Sequence, residues 1–126
     1  MDKQHIFKQY QEFIIFLLVH IANSDFTIKG AEIEVIISKM EDYFPDIEDL
    51  DKLRSKFVNI QEAYESLNDG DINHLIYHNY LTFKDTAIHP DRIVNDLQEV
   101  ILADGLIHER ETQTFESIKK LLDIKE

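Results

Sequence analysis

The chain has no cysteine. That excludes a disulfide framework and any zinc site built on thiolates, and it suits a reducing compartment. Glycine and proline are scarce as well, three and two among 126 residues. With so little punctuation, and with apolar residues spaced by three and four instead of alternating, the chain reads as helical nearly throughout. Basic charge is short too: 13 Lys and Arg stand against 25 Asp and Glu, a net charge of −12. Such a surface repels phosphate backbones and anionic lipid, and the only basic run is the pair Lys119-Lys120. Nucleic acid is therefore not an expected partner. Cations and basic protein partners are attracted, although the same acids also serve solubility. A long hydrophobic run is missing. The most apolar stretch, residues 13–22, is interrupted by His20 and falls well short of the roughly 20 residues that cross a bilayer. It reads as a buried central helix. The start, Met1-Asp2-Lys3-Gln4-His5, lacks the basic segment of a secretory signal. Together these features predict one cytoplasmic domain over residues 1–126, without a transmembrane segment.

Six helices are expected, making an all-α bundle. The first runs from about Lys3 to Asn23, with Ile6, Tyr10, Phe13, Leu17 and Ile21 along one face. The second runs from about Lys29 to Tyr43, burying Ile33, Ile36, Ile37 and Met40 before Pro45 stops it. Asp46 offers an N-cap for the third, whose stripe is Leu50, Leu53, Phe57, Ile60, Tyr64 and Leu67. Asn68-Asp69-Gly70 breaks the pattern. The fourth carries Ile72, Leu75, Ile76 and Tyr80. Pro90 suits the first turn of the fifth, which carries Ile93, Val94, Leu97, Val100 and Ile101. The sixth carries Phe115, Ile118, Leu121 and Leu122.

The most informative feature is an internal repeat. The stretch SDFTIKGAE, residues 24–32, overlays ADGLIHERE, residues 103–111, at an offset of 79 residues. Asp25 meets Asp104, Ile28 meets Ile107, and Glu32 meets Glu111. Upstream, Leu18, Ile21 and Ala22 meet Leu97, Val100 and Ile101; downstream, Ile36 meets Phe115. Each copy is a helical hairpin with an Asp closing one helix, an Ile in the turn and a Glu opening the next. The second copy also resembles the latter half of an EF-hand loop, with hydrocarbon at Val100 and Leu102 where calcium ligands belong. Val100 is needed as core on a helix that also takes in Leu102, so a twelve-residue loop is not expected. One hairpin offers two carboxylates, too few for an ion that takes about 6–8 oxygens. Two hairpins offer four.

The pattern alanine-aspartate-glycine, then isoleucine, then glutamate seven residues after the aspartate resembles that of the TerB-like (tellurite resistance protein B) domains. The resemblance covers most of the chain. It implies an all-α domain of two pseudo-symmetric halves, associated with stress response, in which acidic residues near the hairpin turns bind a divalent metal. On this chain those positions are Asp25, Glu32, Asp104 and Glu111. Calcium or magnesium suits such oxygens better than zinc, and no organic cofactor is expected. Ser24 and Phe26 depart from the motif's Ala and Gly, so the first turn is expected to differ in shape or its site to be degraded.

The same residues have a purely structural reading. A Glu on the first turn of a helix is favoured by the dipole and can cap an open N–H, and an Asp can cap its turn. The chain would then be an interaction module for an unidentified protein partner. Nothing supports catalysis: there is no nucleophile elbow, phosphate loop or dinucleotide fingerprint. The tripeptide His89-Pro90-Asp91 matches a J-domain signature but lacks the basic helix before it. His74 and His78, one turn apart, read as exposed surface or as a two-ligand metal face.

Overall fold

The computed structural model describes residues 9–23, 30–83, 90–103 and 109–121. These contain six α-helices and no strand: α1 (Tyr10–Ala22), α2 (Gly30–Tyr43), α3 (Leu50–Glu65), α4 (Asp69–Phe83), α5 (Pro90–Ile101) and α6 (Glu109–Leu121). The chain forms the all-α bundle that its spacing implies.

α1 is the central helix. Every side chain from Phe13 to Val19 is buried, as are Ile21 and Ala22. A helix that is apolar on all sides is stable only when other elements cover all sides. Accordingly α1 packs against α2, α3, α4, α5 and α6. The covering helices are amphipathic. α3 contributes Leu53, Phe57 and Ile60, α4 contributes Ile72, Leu75 and Ile76, and α5 contributes Ile93, Leu97, Val100 and Ile101.

The repeat is visible in the helix ends. α1 closes at Ala22 and α5 at Ile101, while α2 opens at Gly30 and α6 at Glu109, each pair related by the offset of the sequence repeat. The matched pairs Leu18 and Leu97, Ile21 and Val100, Ala22 and Ile101, and Ile36 and Phe115 are buried in both copies. α1 packs directly on α5, and each also packs on the other's hairpin mate, α1 on α6 and α5 on α2.

Four boundaries differ from the sequence reading. Gln9 is extended (φ −128°, ψ 142°), so α1 starts at Tyr10 and not at Lys3. The cap of α3 is Asp49, whose Oδ1 accepts from the Asp51 N–H at 2.9 Å. Asp46 is instead the third residue of a turn closed by Ile47 N–H donating to Phe44 C=O at 3.0 Å, with Pro45 at the position where its fixed φ suits. Asn68 does not break the chain so much as start α4. Its Oδ1 accepts from Asp71 N–H at 2.8 Å, and Asp71 Oδ2 accepts in return from Asn68 N–H at 3.5 Å, which places Asp69 and Gly70 inside the helix. Leu102, finally, follows the end of α5 and is exposed, whereas Val100 is core.

Candidate functional site

α2 and α6 begin alike. Each carries a glutamate as its third residue, Glu32 after Gly30-Ala31 and Glu111 after Glu109-Arg110. Both side chains are 0 % exposed. A glutamate that only tunes a helix dipole has no need of burial, because desolvating a carboxylate costs several kcal/mol. The open N–H groups and positive end of each helix offset part of that cost. A reciprocal capping box would place Ser or Thr just before each helix; Lys29 and His108 stand there instead. The remaining residues of the duplicated motif, Asp25, Ile28, Asp104 and Ile107, lie outside the described residues. Among the described residues no three His, Asp or Glu side chains are grouped as a metal ion requires. Oxygen donors at Glu32 and Glu111 fit a hard cation, and Asp25 and Asp104 would have to complete the set.

A second cluster of charge was not foreseen. Asp96 of α5 is buried and accepts from the Tyr43 hydroxyl of α2 at 2.6 Å. Lys39 of α2 lies 3.3 Å from Asp96 Oδ1 and also pairs with Glu99. Arg92 approaches Asp96 Oδ2 at 3.9 Å and sets its guanidinium 4.3 Å from the centre of the Tyr43 ring. Burial, followed by the hydrogen bond to Asp96, pushes the Tyr43 hydroxyl well above the usual phenol range. This cluster ties the two hairpins together through α2 and α5. A signal was present: Asp96 falls three residues after Ile93 and four before Val100, on the apolar stripe itself.

A polar cleft of about 580 Å³ lies where the ends of α1 and α3 meet the starts of α4 and α6. His20, Asn23, Tyr64, Asp69 and Gln113 are among its walls. His20 Nδ1 and the Tyr64 hydroxyl share a hydrogen bond of 3.1 Å. Asn23 also exchanges two amide hydrogen bonds with Gln61, of 3.0 and 3.1 Å. Burial lowers the His20 pKa from 6.5 to about 4, with the Asp69 charge opposing. Burial likewise raises Tyr64 to about 12, with Asp69 adding to the effect.

The His20 shift makes stability depend on pH. The unfolded chain takes up this proton near 6.5 and the folded chain only near 4. The contribution of neutral His20 is therefore complete above 6.5 and is lost as pH falls toward 4, up to about 3 kcal/mol in all. Urea unfolding of the wild type and of His20→Gln at pH 7 and pH 4.5 measures it. The variant should lose distinctly less stability on acidification; equal losses would refute the assignment.

No family model, curated protein or solved structure matches the chain. The resemblance to TerB-like domains rests on the duplicated residues alone.

Proposed function

We propose that this chain is a non-enzymatic, TerB-like domain of the cytoplasm that binds a divalent cation through its duplicated motif. Glu32 and Glu111 would supply buried oxygens, and Asp25 and Asp104 the remaining carboxylates of the motif. The reading is carried by one observation: two glutamates at equivalent positions of a repeat are both completely buried. A bound cation is one physical reason to hold a carboxylate out of water at both positions, since it stabilises the charged form where solvent cannot. Calcium or magnesium is the fitting class, because every donor is a hard oxygen. A role in stress response rests on the family resemblance.

Thermal unfolding with excess calcium, magnesium, manganese or zinc, against a chelator control, tests the reading. An ion that binds only the folded chain, present at about 100 times its dissociation constant, should add about 2.7 kcal/mol. Asp104→Asn combined with Glu111→Gln should abolish that gain and raise the metal-free stability, because crowded negative charge is relieved. The capping alternative demands the reverse: no effect of any ion, and a loss of about 0.5–2 kcal/mol in the double variant. That result would leave a protein-interaction module in which the acidic motif is structural.

A further inference from the structure

The middle of α4 carries a feature that the carboxylate motif does not use. His74 and His78 sit one turn apart, and their ring centroids are 4.1 Å from each other. The helix packs inward through Ile72, Leu75, Ile76 and Asn79, which leaves the histidines on its outer side, His74 exposed and His78 half-buried. Tyr77 meets the His78 ring edge-on at 6.0 Å. We propose that His74 and His78 form a two-imidazole site for a borderline-soft divalent transition ion, copper(II) or zinc, with water filling the remaining positions.

Four observations support this. Residues four apart on a helix face the same way, the spacing by which paired histidines grip one ion in helical metal motifs. Ring centroids 4.1 Å apart are close enough for two imidazoles to share one ion at the usual nitrogen–metal distance of about 2.1 Å. Both ligands also stand on a 15-residue helix anchored to the core, so little ordering is needed on binding. The net charge of −12 raises the local concentration of cations. Imidazole nitrogen selects a different class of ion from the oxygens of Glu32 and Glu111, and copper(II) stands highest in affinity for such donors. The site is independent of the carboxylate reading.

Copper(II) titration of the tag-free chain, followed by calorimetry and by electron paramagnetic resonance, tests it. The wild type should show one saturable site with nitrogen coordination. His74→Gln or His78→Gln alone should weaken it roughly 10²-fold, because each breaks the chelate. Calcium binding should be the same in the wild type and in the double variant His74→Gln/His78→Gln, which separates this site from the carboxylates. A second measurement needs no variant: trace copper(II) should broaden the imidazole signals of His74 and His78 before those of the other four histidines. Wild-type copper affinity in the double variant, or first broadening at other histidines, would overturn the proposal.

Discussion

Asp96→Ala should lower the unfolding free energy by about 3–5 kcal/mol, the usual cost of removing one partner from a buried ion pair. Asp96 is almost fully buried, yet it accepts the Tyr43 hydroxyl and faces both Lys39 and Arg92. Its loss leaves a phenol without its acceptor in the interior and takes one ion pair from a lysine that is itself only 17 % exposed. Tyr43→Phe should cost less, about 1.5–3 kcal/mol, because Lys39 and Arg92 still face the carboxylate. The two changes should not add, since both delete the same contact. Chemical denaturation of the four proteins in that cycle is the measurement. A loss below about 1 kcal/mol for Asp96→Ala would show that the cluster does not hold α2 to α5.

Phe16→Ala should be equally severe, at about 3–5 kcal/mol. Phe16 is 0 % exposed on α1, which packs against each of the other five described helices, and its ring lies 5.7 Å from that of Tyr64. Truncation removes apolar area and leaves a void that surrounding helices, each held by its own contacts, can only partly fill. Domains of this size have about 5–15 kcal/mol in total, so the variant should sit near the edge of folding. Val58→Ala on the exposed side of α3 is the control, expected within about 0.5 kcal/mol of wild type. Similar melting of the two variants would contradict the central place given to α1.

The sequence carried the helices because their cause is local. Spacing by three and four marks the buried stripes of α3, α4 and α5, and Pro45 and Pro90 mark an end and a start that the structure keeps. Caps were harder to place. Asp46 and Asp49 are chemically equal candidates, and only the turn that Pro45 sets up decides between them. Asn68 looks like a breaker in sequence and acts as a cap because Asp71 answers it. The Asp96 cluster depends on two helices far apart in the chain, so its partners could not be read from spacing, although its place on an apolar stripe could. For the candidate site, the sequence located Glu32 and Glu111 through the repeat. Their complete burial was not legible, because a first-turn glutamate is ordinarily a solvent-facing residue.

The most direct measurement is calorimetric titration of calcium and of magnesium into the metal-free chain and into Glu32→Gln/Glu111→Gln. Glutamine keeps the shape of each buried side chain and removes its charge, so the variant should stay folded. Cation binding at the duplicated motif predicts saturable binding of at least one ion by the wild type and none by the variant. Absence of saturable binding for both ions, or the same affinity in the variant, would contradict it.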